Sequence, residues 1–410
     1  MKNINPVRGT YDYAPIEAES REVVRQKILK SYQDNGFTLI ETPVLENLSL
    51  LDSSEGGDNL RLMFKTIKRG AQLDLTKPNL TEKDITEEGL RYDLTVPLAR
   101  FYAGNRENLP SPFKSIQIGY AFRAERPQKG RNRQFVQCDI DIFGDSTANA
   151  EVDIITTVMD TYARLGIGEV VMKVNSRKIL ISLVKFCGFD DSQVNSVCIT
   201  LDKFDKIGIE GVEAELLEKG FDSNNVAKLI KASSEIKSKG LDEAEKYGVS
   251  ISDIEEINYI INTANSVITN GKCVFDLSIV RGQGYYTGTV YEAYTDGFGG
   301  AIGGGGRYDK MVENLIGINV PAVGFGMGYE PVNIVLKENG KLQKEKLKVA
   351  LIYNKEDDYA EVLKRKKQLM EKYSVATYLR AKNMKAMLDK LKFGNFDAFI
   401  NLNDEDIKMI

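Results

Sequence analysis

The densest chemistry in this chain lies between Phe122 and Phe135. Arg123, Arg126, Lys129, Arg131 and Arg133 surround Pro127 and Gly130 there, Glu125 sits among them, and Gln137 and Asp141 follow closely. Guanidinium groups keep their charge and grip phosphate oxygens two at a time, so forks of this kind on a strand end and its loop suit a polyphosphate. The same charges also suit a solvated hairpin tip, and charge alone does not choose between the two.

A second stretch, Val280 to Thr289, places Arg281, Tyr285, Tyr286 and Thr287 beside Gly282, Gly284 and Gly288. Glycines let a backbone approach a ligand closely, and phenolic hydroxyls donate or accept in a pocket. A strand with a bulge accounts for the same residues. A third stretch, Gly303 to Asp309, runs through four glycines into Arg307 and Tyr308. It is not a phosphate-binding P-loop, because no Lys-Ser or Lys-Thr follows, and by itself it reads as a tight turn.

These stretches need elements to position them. Val23, Val24, Ile28, Leu29 and Tyr32 recur at helical spacing over residues 17–35, and Gly36 marks the stop. Phe37 to Pro43 reads as extended, with Pro43 limiting a central strand. Residues 90–144 read as short strands between polar loops, and 149–164 return to helical periodicity. Lys, Glu, Asp and Ser with spaced aliphatics dominate 180–270, which predicts a small helical insertion with solvated charged faces. Strands resume at Val274, continue from Tyr285 to Tyr294, and return over Val323 to Met327. After the Lys- and Glu-rich segment 332–346, an expected linker, residues 347–410 alternate strand, helix, strand, helix, strand, the pattern of a small α/β domain with parallel character.

Composition removes several chemistries. The 410 residues contain no histidine, so triads with an imidazole base, His-ligated metals and imidazole proton relays are all excluded. What remains favours reactions driven by positioning and charge neutralisation, such as nucleotidyl transfer. A message without histidine codons also places no demand on charged histidine tRNA. Cys138, Cys187, Cys198 and Cys273 form no C-x-x-C pair, which predicts packed, reduced thiols and neither a zinc ribbon nor another metal site. The net charge of −4 gives no global basic field, so any nucleic acid must meet local patches. No apolar run approaches the roughly 20 residues that span a bilayer, and the N-terminus lacks a signal-peptide core. A cytoplasmic protein is expected, with no membrane association.

Taken in order, the motifs resemble the histidyl-tRNA synthetase family over nearly the whole chain. Pro6 to Asp12 matches its opening, Glu41 to Glu46 looks like class II motif 1, and Leu90 to Thr95 also fits. Residues 122–144 look like motif 2, while 280–289 and 303–309 resemble the two histidine-specific signatures. The resemblance implies an α+β fold, with an antiparallel catalytic sheet flanked by helices. It further implies a catalytic domain over 1–179 and 271–331, a helical insertion over 180–270, the linker 332–346, and an anticodon-binding-like α/β domain over 347–410. Because the family usually adds a strand and a helix beyond the point where Ile410 stands, that last domain is expected in shortened form.

The implied activity is ligation of histidine to tRNA(His) through histidyl-adenylate, with ATP as substrate, Mg2+ beside it, and a homodimer built on motif 1. By the same resemblance Arg123 and Arg281 would be catalytic at the α-phosphate, Arg131 would reach the outer phosphates, Glu125 would meet the adenine amino group and Phe135 would stack on the base. Asp93, Thr95 and Gln137 would surround the histidine ammonium, and Asp141, Tyr286 and Tyr308 its imidazole. The family often has arginine where Pro331 stands and Asp where Gly284 stands. These departures keep a second reading open: a non-catalytic relative resembling the histidine-sensing regulatory subunit of ATP phosphoribosyltransferase. A synthetase of another class II specificity is the third, and the two histidine signatures count against it.

Overall fold

The structure, a computed structural model, describes residues 4–53, 61–280 and 285–410. Its strands are β1 (Thr38–Leu39), β2 (Leu45–Asn47), β3 (Lys65–Ile67), β4 (Thr86–Leu90), β5 (Phe113–Phe122), β6 (Gln134–Phe143), β7 (Val170–Ser176), β8 (Gly271–Phe275), β9 (Thr289–Thr295), β10 (Gly303–Arg307), β11 (Ala322–Gly328), β12 (Lys348–Tyr353), β13 (Ser374–Leu379), β14 (Ala398–Asn401) and β15 (Lys408–Met409). The chain divides into two compact units, one of Arg8–Thr10 and Ile28–Val335, the other of Met1–Val7, Tyr11–Lys27 and Leu336–Ile410.

The larger unit is built on an eight-stranded sheet in the order β1-β5-β6-β11-β10-β9-β7-β8. All of its inner pairings are antiparallel, and only the two edge strands join in parallel. The fold is therefore α+β with an antiparallel catalytic-type sheet, as the resemblance implied. Its two faces follow from alternation along the strands. On one face Ile116, Cys138, Ile140, Ile142, Val323, Phe325 and Met327 are buried. Tyr32, on the helix Pro15–Asp34, donates to the Cys138 carbonyl at 3.3 Å, and Tyr162, on the helix Asn149–Leu165, donates to the Ile302 carbonyl at 3.2 Å. The other face carries Gln137, Asp139 and Asp141 on β6, paired in register with Gly119, Gln117 and Ser115 on β5 and with Gly328, Gly326 and Gly324 on β11.

The run from Gly303 to Arg307 is not a turn but strand β10, in the middle of this sheet. Tyr291 and Phe325 flank Gly305 in register and stack at 6.0 Å between ring centroids. A side chain at Gly305 would be driven into the Gly324 carbonyl, and one at Gly303 would meet the Phe325 ring 2.6 Å away. Low β propensity is overridden here by the space that aromatic neighbours on both sides occupy. Other expectations shift in the same way. Of the extended Phe37–Pro43 segment only Thr38–Leu39 pairs, and the strand expected from Tyr285 begins at Thr289. The segment expected as linker is helical as far as Glu338.

Residues 177–265 form a succession of helices, each of several started by its own cap: Ser176, Asp190, Asp222 and Ser250 accept from backbone N–H groups of the first turn. The four cysteines are free and buried, and burial pushes the Cys187 and Cys198 thiols up to about 11 and Cys273 to about 12. Among the described residues no helix is long and apolar enough to cross a membrane.

In the smaller unit β13-β12-β14-β15 form a sheet, parallel except for the last pairing. Alternation along β12 buries Val349 and Leu351 in one apolar cluster with Val362, and Ala350 in another with Leu391 and Phe396. Val362 and Leu391 come from the helices Tyr359–Leu369 and Met384–Phe393, and Phe396 follows the second of them. The antiparallel β15 was not anticipated from the sequence.

The glycine argument has a direct test in chemical denaturation. Gly305→Ala is expected to lower stability by about 3 kcal/mol, since overpacking here meets backbone. Gly104→Ala, in an open position on the helix Thr95–Asn105, is expected to raise it by up to about 1 kcal/mol. Equal unfolding midpoints for the two variants would contradict the packing role of β10.

Candidate functional site

The polar face of the large sheet floors a cavity of about 1020 Å³. Every sequence-predicted site residue among those described lines it: Asp93, Thr95, Arg123, Glu125, Arg131, Phe135, Gln137, Asp141, Tyr286 and Tyr308. Arg281 lies outside the described residues. Asp139, Glu292, Lys129, Glu330 and Pro331 line the cavity as well and were not predicted as site residues.

One wall is the hairpin between β5 and β6. Gln128 and Arg131 exchange backbone hydrogen bonds of 3.1 and 2.9 Å across its tip, and Gly130 takes the positive φ that the turn requires. A side chain on Gly130 would strike the Phe298 ring 2.9 Å away, so the tip is seated against packed structure and is not a free loop. At the base, the Arg133 amide donates to the Gly9 carbonyl at 2.8 Å, and Arg133 Nε donates to the Glu125 carbonyl at 3.2 Å. Arg123 Nε donates to the Tyr92 carbonyl at 3.0 Å, and its guanidinium lies 5.1 Å from the centre of the Phe135 ring. These contacts fix Arg123 on the cavity wall beside an aromatic face.

The floor is acidic and incompletely paired. Asp93 is 2% exposed, Asp139 3% and Asp141 2%. Asp93 Oδ1 accepts from the Val96 amide at 3.1 Å, starting the helix Thr95–Asn105, while Asp141 Oδ1 accepts from the Tyr308 hydroxyl at 2.5 Å. Gln137 Nε2 donates to Asp139 Oδ2 at 3.3 Å. Among the described residues Asp93 Oδ2, Gln137 Oε1, Asp139 Oδ1 and Asp141 Oδ2 are buried with no hydrogen-bond partner. A buried acceptor left unmade costs about 1–3 kcal/mol, so four acceptors on one cavity floor call for a ligand that brings N–H donors.

Electrostatics agree with that reading. Burial raises the Asp93 carboxyl to about 6, against the Val96 amide and the Arg123 charge. Burial likewise raises Asp141 to about 7, opposed by the Tyr308 hydroxyl and reinforced by Asp93. Asp139 is pushed well above the usual carboxylate range by burial, then by Asp141 and Asp93. Donors or positive charge delivered to this floor relieve all three.

The aromatic side of the pocket is equally fixed. Tyr285 and Tyr286 meet edge to face at 4.8 Å, and Tyr285 meets Tyr308 at 6.0 Å. Gly306 leaves the space that Tyr286 occupies, since a side chain there would lie 2.8 Å from its ring. Arg307 anchors the strand before Tyr308 through a buried bidentate pair with Glu151, at 2.7 and 2.6 Å. Asp309 then accepts from the Ala322 amide at 2.9 Å. Pro331 stands in the first turn of the helix Tyr329–Glu338, where a missing N–H is tolerated.

Sequence reasoning passed over Asp139 and Arg91. Arg91 is buried and donates to the Tyr120 carbonyl at 2.8 Å and the Thr42 carbonyl at 2.7 Å, tying the motif 1 segment to β5. For Asp139 the signal was present: it sits midway between Gln137 and Asp141 on a period of two.

The sequence model of the family described as Histidyl-tRNA synthetase matches residues 9–332. A histidine--tRNA ligase of Leifsonia xyli subsp. xyli is 38% identical over 97% of this chain and 94% of its own length. A probable histidine--tRNA ligase of Tropheryma whipplei strain Twist is 36% identical over 98% and 96%. Among solved structures, the histidyl-tRNA synthetase of Nostoc sp. PCC 7120 has a TM-score of 0.77 at 24% identity, covering 98% of this chain and 92% of that one. An ATP phosphoribosyltransferase regulatory subunit/histidyl-tRNA synthetase from Bacillus halodurans C has a TM-score of 0.76 at 20% identity, covering 97% and 98%. At those identities the two structures establish the fold alone. With the family matched over most of the chain and relatives above one third identical along nearly all of it, this chain belongs to the histidyl-tRNA synthetase family.

Proposed function

We propose that the chain is a class II histidine–tRNA ligase that activates histidine with ATP and transfers it to tRNA(His). The observation that carries this reading is the set of buried acceptors on the cavity floor that have no partner among the described residues, opposite an arginine-bearing wall. Histidine brings an ammonium group and ring N–H groups to the floor. Asp93, Thr95 and Gln137 take the ammonium side, and Asp141, Tyr286 and Tyr308 take the imidazole. An aliphatic competitor leaves the ring acceptors unmet, a penalty that polar pockets turn into discrimination of roughly 10⁴-fold.

The arginine wall takes the nucleotide. Phe135 stacks on the adenine, Glu125 accepts from its amino group, Arg123 holds the α-phosphate and Arg131 reaches the outer phosphates. Arg281 is assigned to the charge that builds on the α-phosphate. A histidine carboxylate oxygen attacks the α-phosphorus in line, the bond to pyrophosphate breaks, and histidyl-adenylate remains. A terminal ribose hydroxyl of the tRNA then attacks the acyl carbon and AMP leaves. Arg123 supplies fixed positive charge where negative charge develops, so it costs no reorganisation at the moment of reaction.

Among the described residues no group of three acidic or thiol side chains is set to cage a metal. Magnesium fits as the hydrated counter-ion of the ATP phosphates, the form this ion prefers, and no step above runs through it. Exposed Leu39, Val44 and Leu45, beside and within the motif 1 segment, support a homodimer interface there. The cytoplasm is the compartment that fits tRNA charging. A histidine-sensing regulator needs the acidic floor but has no use for Arg123 and Arg131 on the facing wall, and their presence favours the ligase.

Exchange of labelled pyrophosphate into ATP tests the proposal. Exchange is expected with histidine alone among the amino acids. Arg123→Ala is expected to abolish it while calorimetry still detects histidine binding, and Asp141→Asn to reduce kcat/KM for histidine by about 10- to 100-fold. Histidine binding without exchange in the unaltered protein would favour the regulator.

The floor also predicts a pH dependence of stability. A carboxyl near 3.9 when unfolded and raised to about 7 when folded binds more protons in the native state between those values. Its contribution is present below the unfolded value and lost as pH rises through about 7. Asp141→Asn should therefore melt above the unaltered protein near pH 8, with the gap closing towards pH 5. Parallel melting curves across that range would contradict the burial of Asp141 as the cause of its raised carboxyl.

A further inference from the structure

Asp139 is a floor carboxylate to which neither the histidine nor the nucleotide contacts assign a role. We propose that Asp139 is a substrate-binding residue that completes the α-ammonium subsite, an inference that rests on histidine being the ligand of this cavity.

Register places Asp139 on the ligand face. Gln137, Asp139 and Asp141 alternate with buried Cys138 and Ile140 along β6, so all three project from the polar side. The two positions beyond Asp139 in its cross-strand row are Gly326 and Gly304, which carry no side chain to cover it. A side-chain carbon at Gly326 would lie 3.0 Å from Asp139 Oδ1, so glycine leaves that buried oxygen uncrowded on the side of the cavity that Asp139 lines.

The floor offers an ammonium group acceptors without donors of their own. An ammonium group has three N–H donors and no acceptor. Among the described residues Asp93 Oδ2, Gln137 Oε1 and Asp139 Oδ1 are unpartnered acceptors on the floor, and Asp141 Oδ2 belongs to the carboxylate that holds Tyr308 on the ring side. Gln137 ties the group together through its 3.3 Å bond to Asp139 Oδ2.

A purely structural role does not fit. The only side-chain hydrogen bond that Asp139 makes among the described residues is the one from Gln137. The charges facing it are Asp93 and Asp141, which oppose its ionisation, and Arg123 and Arg91, which favour it. Both arginines direct hydrogen bonds to backbone carbonyls, Arg91 to those of Tyr120 and Thr42 and Arg123 to that of Tyr92. The floor thus holds a crowded acidic group that an arriving ammonium relieves.

Calorimetric titration of the full chain with histidine and with 3-(imidazol-4-yl)propionate, which keeps ring and carboxylate but lacks the ammonium, tests this directly. Asp139→Asn is expected to weaken histidine by about 10- to 100-fold and to leave the deamino analogue unchanged. In pyrophosphate exchange the same variant should raise KM for histidine and leave KM for ATP where it was. Asp139→Glu, which keeps the charge and moves the oxygen, should fall between the two, and melting curves report whether each variant is folded. Unchanged histidine affinity, equal losses for both ligands, or matching shifts in the two KM values would overturn the proposal. Failure of the unaltered protein to bind histidine at all would overturn the reading of the cavity, and this inference with it.

Discussion

The constraint on which the rest depends is the placement of carboxylates with unpaired oxygens on the face of a buried sheet. Each orphaned acceptor opposes folding by about 1–3 kcal/mol, and a protein of ordinary stability has only about 5–15 kcal/mol in hand. Four such atoms on one floor are tolerable only because everything around them is strongly fixed. The apolar face of the same strands, packed with Ile116, Ile140, Ile142, Phe325 and Met327, supplies that stability a few ångströms away. One alternating sequence does both jobs, since successive side chains of a strand point to opposite faces.

The glycines belong to the same constraint. On β11 the pattern Val323-Gly324-Phe325-Gly326-Met327-Gly328 sends apolar groups to the core and nothing to the floor, so ligand and acidic side chains have room. A side chain at Gly324 would collide with Asp141. Arg307 and Glu151 fix the strand that leads into Tyr308, and breaking a buried pair of that kind typically costs about 3–5 kcal/mol. That rigidity fixes the 2.5 Å hydrogen bond from Tyr308 to Asp141. Binding then has little reorganisation to do, which is where a polar site gains its selectivity.

Much of this was legible from residues. The period-two pattern around Gln137 and Asp141, the helical spacing from Val23 to Tyr32 and the strand–helix alternation after residue 347 all translate into observed elements. The motifs led to residues that line one cavity because arginines and acids are recognisable by type. What failed to show was what depends on partners distant in sequence. Four consecutive glycines signal a turn when read locally, and only the rings of Tyr291 and Phe325 make them a strand. Arg91 looked like part of a motif, yet its hydrogen bonds go to carbonyls contributed from two other segments. Asp139 has no role in the matched motif, although its place in the alternation puts it on the polar face with Gln137 and Asp141.

The central claim is that the floor acceptors are unpaired because histidine supplies their donors. A diffraction structure of the protein crystallised with histidine addresses it most directly. The account predicts the amino acid on the polar face of β6, its ammonium against Asp93 and Gln137 and its ring against Asp141, Tyr286 and Tyr308. Histidine bound away from these residues, or the floor acceptors still unpaired with the ligand in place, would contradict it.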